Sequence, residues 1–229
     1  MTLPIGAEVG SLSAERPSRV HLAGRYIRLE PLDAQTHGKS LWEAVGGSEH
    51  EDLWTYLSDG PYPDRGLFQA ALTRKAASSD PLYFAIVDSR SGLALGYASY
   101  LRIEPAHRCI EVGSILFGPA LQQTAGATEA MYLMARYAFE HLRYRRYEWK
   151  CNALHVRSRQ AALRLGFAFE GIFRQHMIAK GRNRDTAWFS MLDSEWPPRK
   201  AALERWLEPD NFNEDGQQRR SLGECASHL

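Results

Sequence analysis

The sequence has few cysteines, almost no net charge and no cluster of metal ligands. Its cysteines, Cys109, Cys151 and Cys225, are odd in number and lack the spacing of a disulfide framework or a CxxC knuckle. Cys151 and His155 have CxxxH spacing, but the two further ligands that zinc needs do not accompany them. We therefore expect no metal, and a reducing, cytoplasmic setting.

Charge and hydropathy exclude two further classes of partner. Lysine and arginine total 28 and aspartate and glutamate 27, a net charge of +1, which argues against a broad attraction to nucleic acid or anionic lipid. The first residues lack a basic start followed by an apolar run, and no stretch approaches the ~18 consecutive apolar residues of a membrane span. We expect a protein that is neither secreted nor integral to a membrane and that has no nucleic-acid partner.

The chain divides into a patterned middle and two polar extensions. Residues 1–19 mix glycine, serine, proline and charge without a period, and residues 210–220 are similarly polar. We expect an N-terminal extension at 1–19, one domain at 20–198, and a C-terminal helix with a polar tail at 199–229.

Apolar spacing predicts elements in the order β-α-α-β-β-β-α-β-α-β-β. The predicted strands are 20–22 with 25–29, 83–87, 94–101, 109–117, 147–154, 167–177 and 186–192, and the predicted helices are 34–45, 67–77, 127–142, 158–165 and 200–207. This order predicts an α/β (α+β) fold, in which a mixed sheet has helices packed against it.

The turn before the long helix is the most informative segment. It contains Gln122, Gln123, Thr124, Ala125, Gly126, Ala127 and Thr128. Small residues at such a turn let a ligand approach the backbone, where the free N–H groups and the helix dipole favour an anion such as a pyrophosphate. The alternative is that these small residues only allow tight packing of the helix on the sheet.

Several ordered blocks resemble one enzyme family. The segment 122–127 resembles the Gln/Arg-x-x-Gly-x-Gly/Ala pyrophosphate loop of the GNAT superfamily of acyl-CoA-dependent N-acyltransferases. The following Ala127-Thr128-Glu129-Ala130 is typical of its branch around the ribosomal-protein alanine N-acetyltransferases RimJ and RimL. Further similar blocks are Tyr147-Glu148-Trp149-Lys150-Cys151, Ser158, Leu165-Gly166-Phe167, Glu170-Gly171 and Gly181-Arg182-Asn183-Arg184-Asp185. The resemblance extends from about residue 24 to residue 197.

This resemblance implies a GNAT-like, mostly antiparallel central sheet that is splayed at two parallel strands and has helices on both faces. The sequence departs from the family pattern at two positions. Ala125 stands where the loop has its middle glycine, and His155 stands where the branch usually has asparagine, three residues before Ser158. The first departure bears on coenzyme affinity and the second on the surroundings of the coenzyme thiol.

The resemblance also implies catalytic roles. Attack on a thioester needs a neutral amine, hydrogen bonds to the oxyanion and a stabilised thiolate. Glu111 resembles the acidic residue that often begins this strand in the family, and it is the candidate base. Glu148 and Glu170 are its rivals, and a solvated carboxylate is the alternative interpretation. Gly113 could permit the bulge that splays the strand.

The resemblance also implies residues that stabilise the leaving thiolate and residues that bind the coenzyme. Ser158 matches the serine that the branch places near the sulfur, and capping of its own helix is the alternative. A backbone N–H of Ile115 or Phe117 would meet the oxyanion. The coenzyme-binding candidates are Ile115, Phe117, the seven residues Gln122 to Thr128, His155 and Ser158.

An aromatic loop precedes the second helix. Its residues Trp54, Tyr56 and Tyr62 either wall a substrate pocket or cover the core. The pocket is favoured because the family builds its acceptor site from this segment.

The resemblance implies an enzyme that moves an acetyl or other acyl group from acetyl-CoA to a primary amine of a protein N-terminus or a small molecule. The amine would attack directly in a ternary complex, with acetyl-CoA as co-substrate and a monomer or homodimer as the assembly. The alternative is a domain of the same fold that binds acyl-CoA as a sensor or scaffold without turnover.

Overall fold

An eight-stranded mixed sheet runs through the computed structural model, which describes residues 3–10 and 13–227. The strands are β1 (Leu22–Ala23), β2 (Ile27–Pro31), β3 (Leu82–Asp88), β4 (Ala94–Glu104), β5 (Cys109–Phe117), β6 (Arg146–Asn152), β7 (Ala168–Ala179) and β8 (Arg182–Leu192). Their spatial order is β1-β2-β3-β4-β5-β6-β8-β7, and every neighbouring pair is antiparallel except β5 with β6. The expected mostly antiparallel sheet with one parallel pair is confirmed.

Six α-helices accompany the sheet in the described part of the chain. They are α1 (Ala34–Val45), α2 (Arg65–Ala77), α3 (Ala125–Arg136), α4 (Val156–Arg164), α5 (Trp196–Leu207) and α6 (Leu222–Ala226). The predicted helix at 127–142 is α3 continued by a π-helical turn, Tyr137–His141, and short 3₁₀ segments lie at Ser48–Trp54 and Pro209–Asn211. None of the helices among the described residues is long and apolar enough to cross a bilayer.

Side-chain alternation along β3 separates two hydrophobic cores. Phe84 and Ile86 belong to a large core that also contains side chains of α3, α4, α5 and α6. Tyr83 and Ala85 point to the opposite face, into a smaller core under α1 and α2. Helices therefore lie on both faces, as expected. The smaller core has no member from β6, β7 or β8, so on this side of the sheet α1 and α2 do not cover these three strands. We call this part of the sheet the uncovered face.

Glu129 ties α3 to the beginning of the sheet. Its carboxylate is buried and accepts backbone N–H groups of Arg25 at 2.7 Å, Tyr26 at 2.7 Å and Ile27 at 2.9 Å. A Cβ at Gly24 would lie 2.4 Å from the Glu129 carboxyl carbon, so glycine leaves the room that this contact needs. The charge-assisted bonds stabilise the orientation of α3 on β2.

The expected domain boundaries differ from the packing. Ala14 lies in the large core, and the Glu15 N–H donates to the Leu142 carbonyl at 3.0 Å, so the end of the 1–19 segment is part of the folded body. The boundary between 198 and 199 falls inside α5.

The C-terminal segment packs on the domain. Leu203 and Trp206 of α5 and the fully buried Cys225 of α6 belong to the large core. Polar composition hid this arrangement because only a few apolar residues of the segment face inward.

Candidate active site

β5 and β6 pair only along their first four residues. Cys109 to Val112 run parallel to Arg146 to Trp149, and beyond these pairs the two strands continue without partnering each other. The parting leaves a wedge between the strands, and backbone groups that would complete the ladder face into it. The expected splay at the parallel pair is therefore present.

A bulge in β5 lies at the parting. The register against β4 passes from Ser99 opposite Gly113 to Tyr97 opposite Leu116, which adds one residue to β5. The left-handed residue is Ser114, with φ of 47°, rather than Gly113. A Cβ at Gly113 would lie 2.9 Å from a Leu101 methyl carbon, so a larger residue there would displace the end of the Leu101 side chain.

The N-terminus of α3 lies just beyond the end of β5. The Thr124 hydroxyl caps it by accepting the Ala127 N–H at 3.2 Å. The amides of Ala125 and Gly126, in the first turn, have no intrahelical acceptor. The Gln122 side chain donates to the Phe117 carbonyl at 2.9 Å and fixes the loop to the strand. The site expected for an anion therefore has backbone donors and the positive end of a helix dipole.

Gly126 also explains how closely α3 approaches the sheet. A Cβ there would lie 2.8 Å from the Ile27 Cγ2 atom, in the core. The alternative interpretation, tight helix-on-sheet packing, is therefore correct for the side of Gly126 that faces β2. It does not compete with the other role, because a first-turn N–H points along the helix axis.

A buried ion cluster occupies the uncovered face at the start of the parallel pair. The Lys150 ammonium donates to Glu111 at 2.9 Å and to Glu148 at 2.6 Å, and it lies 3.8 Å from the Trp188 ring centroid. Arg102 reaches Glu111 at 3.4 Å. The Glu111 side chain is 7% exposed and that of Lys150 5%. Glu111 is therefore not a solvated surface carboxylate.

The three candidate bases differ in the direction in which their pKa values are shifted. Burial raises the pKa of Glu111 above its ordinary value, although Lys150 and Arg102 oppose the shift. Burial acts in the same direction on Glu148, but hydrogen bonds from Lys150 and Arg146 leave the pKa of that carboxyl lowered. A bidentate bond from Arg146 lowers the pKa of Glu170. Glu111 is the member of the three that holds a proton most readily.

Ser158 lies beside the end of β6. It is the third residue of α4, whose N-cap is His155, so the helix-cap interpretation is wrong. Its hydroxyl oxygen accepts the Trp149 indole N–H at 3.0 Å. Because that oxygen is an acceptor for the indole, the Ser158 hydroxyl still has its own proton to donate, and Cys151 lies within its reach. Burial raises the pKa of the neighbouring Cys151 thiol, and a hydrogen bond with Ser158 opposes the shift.

The aromatic loop crosses to α4 and to the β7–β8 turn. The Tyr56 ring stacks on His155 with centroids 4.3 Å apart, and its hydroxyl donates to the Leu154 carbonyl at 3.4 Å. Lys180 donates to the Trp54 carbonyl at 2.6 Å. Burial lowers the pKa of His155, and the charge of Arg157 adds to the effect, which favours a neutral imidazole.

Two of the three aromatic candidates belong to the core side of this loop. Trp54 is 1% exposed, and its indole donates to the Val45 carbonyl at 2.9 Å. Tyr62 packs edge-on against Trp54 with centroids 5.3 Å apart and donates to Asp59 at 2.6 Å. For Trp54 the core-covering alternative is correct. Tyr56 is the candidate that reaches α4.

Sequence reasoning missed the partners of the ion cluster. Lys150 and Glu148 alternate along β6, which signals a shared face. Arg102 is on β4, the strand before that of Glu111, and Trp188 is on β8, which is distant in sequence from Lys150. The strand register brings each of them to its partner. Within residues 3–10 and 13–227, no group of three His, Cys, Asp or Glu side chains could hold a metal ion.

Comparison with known proteins gives the family. The acetyltransferase (GNAT) domain model matches residues 27–168. A GCN5-related N-acetyltransferase from Brucella melitensis is 48% identical, with 95% of this chain and 99% of that chain covered and a TM-score of 0.92. A probable acetyltransferase of the GNAT family from Chromobacterium violaceum ATCC 12472 is 40% identical, with 85% and 99% covered and a TM-score of 0.77. No curated protein matches the chain significantly. The chain belongs to the GNAT family of acetyltransferases, enzymes that use acetyl-CoA as co-substrate.

Proposed function

We propose that the protein transfers an acetyl group from acetyl-CoA to a primary amine by direct attack in a ternary complex. The observation that carries this proposal is the parting of β5 and β6 after four paired residues, beside the capped N-terminus of α3. A pantetheine arm is narrow and rich in amides, so a wedge lined by free strand backbone suits it.

The coenzyme pyrophosphate binds at residues 122–128. The first-turn amides of α3 supply donors, and the helix dipole favours the negative charge. From there the pantetheine arm runs along β5, where N–H groups of Ile115 or Phe117 are the candidates to meet the oxyanion. His155 and Ser158 then lie at the thiol end, as the family resemblance implies.

Glu111 receives the proton of the attacking amine, through a water chain. Its burial raises its pKa, which brings the carboxylate closer to the range in which a general base works at neutral pH. Lys150 and Arg102 orient it and keep an ionised form available. Glu148 and Glu170 are held more firmly as ion-pair partners, because hydrogen bonds lower their pKa values.

Ser158 donates a hydrogen bond to the departing thiolate. A serine hydroxyl is a poor acid, so it stabilises the sulfur and does not protonate it. The proton comes from the amine or a water. The Trp149 indole holds the Ser158 oxygen as an acceptor and so directs the hydroxyl hydrogen elsewhere.

The acceptor is an α-amine of a protein N-terminus or a small-molecule amine, the class that the resemblance to the RimJ and RimL branch implies. The free cysteines Cys109, Cys151 and Cys225 support a reducing, cytoplasmic setting for this reaction.

A panel of amines tests the function. The purified protein is incubated with acetyl-CoA and peptide N-termini, lysine derivatives, amino acids and polyamines, and the release of free thiol is followed. We expect release with at least one amine, together with an acetylated product of the right mass. Thermal stabilisation by coenzyme A without thiol release on any amine would instead support the sensor.

A further inference from the structure

The uncovered face of β8 carries a row of polar side chains that the proposed mechanism does not use. Arg184, Thr186 and Trp188 alternate along the strand and so point to one side of the sheet. The Lys150 ammonium over the Trp188 ring shows that this is the side that holds the Glu111 cluster. The row is therefore continuous with the Glu111 cluster, beside which the proposed reaction places the amine.

The cations on this face differ in their partners. Lys150, Arg146 and Arg102 each contact at least one carboxylate. Among the described residues, the Arg184 guanidinium has one hydrogen bond, to the Met177 sulfur at 3.6 Å, and no carboxylate partner. No carboxylate of the described chain therefore neutralises its charge.

Two buried donors on the row have no acceptor in the described structure. They are the Arg184 Nε–H and the Trp188 Nε1–H. A buried donor without an acceptor costs free energy, and such groups are rare in folded proteins unless a ligand or ordered water meets them. Both groups are donors, so the molecule that meets them supplies acceptor atoms.

A histidine and an aromatic ring lie beside this row. His176 lies 3.0 Å from the Thr186 hydroxyl, and burial followed by the charges of Arg102, Arg184 and Lys150 lowers its pKa. The Phe173 ring packs on Trp188 with centroids 4.4 Å apart. Lys150 and Arg102 are paired with Glu111 and Glu148, so Arg184 is the cation on this face whose charge no carboxylate of the described chain neutralises, and it favours an anion over a polyamine.

We propose that the acceptor amine belongs to a molecule that carries a carboxylate, and that Arg184 binds this carboxylate. The planar fork of a guanidinium matches a carboxylate with two parallel hydrogen bonds. The Trp188 N–H meets a carbonyl along the way, and Phe173 and His176 line that path. The assignment rests on the proposed transfer reaction and names its substrate class.

The spacing sets the size of the acceptor. Trp188 is opposite Lys150, and Arg184 lies four residues further, about 13 Å along the strand. The carboxylate is therefore several bonds away from the reacting amine, as in a short peptide, and not on the same carbon atom.

Matched tripeptides test the assignment. Free thiol release from acetyl-CoA is measured with tripeptides that end in a free carboxylate and with the same tripeptides as C-terminal amides. We expect kcat/KM about tenfold higher for the acids, mostly through KM. Arg184→Gln removes this preference, Arg184→Lys restores part of it, and Arg182→Gln, an exposed arginine on the same strand, leaves it unchanged.

A binding assay separates this inference from the function. N-acetylated tripeptide acids and amides cannot react, and their effect on the melting temperature is compared in wild type and Arg184→Gln. We expect stabilisation by the acid alone, in wild type alone. The carboxylate assignment would be overturned if the acid and the amide raised the melting temperature equally. Where transfer occurs, equal kcat/KM values for the acid and the amide would overturn it as well. Failure of every amine to release thiol would overturn the transfer reaction itself.

Discussion

Ser158 is the single residue whose hydrogen bonding most directly predicts a kinetic effect. A bond to sulfur matters most when the thiolate forms, so Ser158→Ala lowers kcat by about tenfold or more and changes the KM for acetyl-CoA little. Trp149→Phe removes the N–H that orients Ser158 and lowers kcat by part of that amount. Steady-state kinetics with the best amine measures both.

The double variant is the control for this positioning. If Trp149 acts through Ser158, its substitution adds no further loss of kcat in a Ser158→Ala background. Additive losses would assign the Trp149 effect to packing in the core, where it is 6% exposed. An unchanged kcat in Ser158→Ala would remove the serine from the reaction.

Glu111 predicts a pH dependence. Its pKa is raised, so wild-type kcat/KM falls as pH drops through that value, because a protonated carboxyl accepts no proton. Glu111→Gln must rely on amine that is already neutral in solution, and that fraction rises with pH. We expect the ratio of the wild-type kcat/KM to the variant kcat/KM to be largest at pH values between the pKa of Glu111 and the pKa of the amine. The ratio narrows below the pKa of Glu111, where wild type also lacks an ionised base, and it narrows again as pH approaches the pKa of the amine.

Glu148→Gln is the matched comparison for Glu111. This substitution also alters a contact with Lys150, but the pKa of Glu148 is lowered, so Glu148 is a poor candidate for the base. We therefore expect the variant to keep the wild-type shape of the pH–rate profile. Superimposable curves for wild type and Glu111→Gln would exclude Glu111 as the base and direct attention to Glu148 or Glu170.

At the scale of elements, the contact of α3 with β2 depends on Gly126. Replacing a helical glycine by alanine gains up to about 1 kcal/mol, but overpacking a core costs about 1–3 kcal/mol. The new Cβ would lie 2.8 Å from Ile27, which is 2% exposed, so Gly126→Ala lowers the free energy of unfolding by up to about 2 kcal/mol. Denaturant unfolding measures it.

Gly10→Ala serves as the control, because nothing lies within 4 Å of that position. Coenzyme A still raises the melting temperature of Gly126→Ala, since alanine keeps the backbone N–H. Increased stability of Gly126→Ala would contradict the packing role. Loss of the coenzyme effect in the folded variant would show that the loop needs glycine for more than packing.

Elements with one dominant signal were predictable from the sequence. The bounds predicted for α1 and β5 agree with the structure, because a clear period and flanking turn residues define them. α4 begins at Val156, two residues before its predicted start, because its N-cap, His155, makes no side-chain capping bond. The 3₁₀ segment Ser48–Trp54 was missed, since its polar sequence has no period.

Single residues of the candidate site were predictable from the sequence, but the contacts between them were not. Glu111 and Ser158 are single residues on predicted elements. The pairing of Glu111 with Lys150 and Arg102 depends on strand register and on the bulge in β5, which local sequence patterns do not determine. The burial of Trp54 depends on α1, α2 and the loop together, which the sequence does not show, and Trp54 was therefore assigned to the pocket.

At the scale of the whole molecule, the C-terminal segment completes the large core. Removal of 199–229 takes Leu203, Trp206 and Cys225 from it. We expect the truncated chain to lose cooperative unfolding and the near-ultraviolet circular dichroism of fixed aromatic packing. Deletion of residues 1–10 leaves the melting temperature unchanged, because residues 3–10 are exposed. Cooperative unfolding of the truncated chain would restore the boundary at 198.

The parting of β5 and β6 has a consequence for the order in which the two substrates bind. α3 lies on one face of the sheet and the Glu111 cluster on the other, and the strands part between them. In the proposed reaction, acetyl-CoA and the amine therefore approach from opposite faces of the sheet, and we expect that neither blocks the access of the other. Initial-rate kinetics should show random addition, in which coenzyme A competes with acetyl-CoA but not with the amine, and the acetylated product leaves without waiting for the coenzyme.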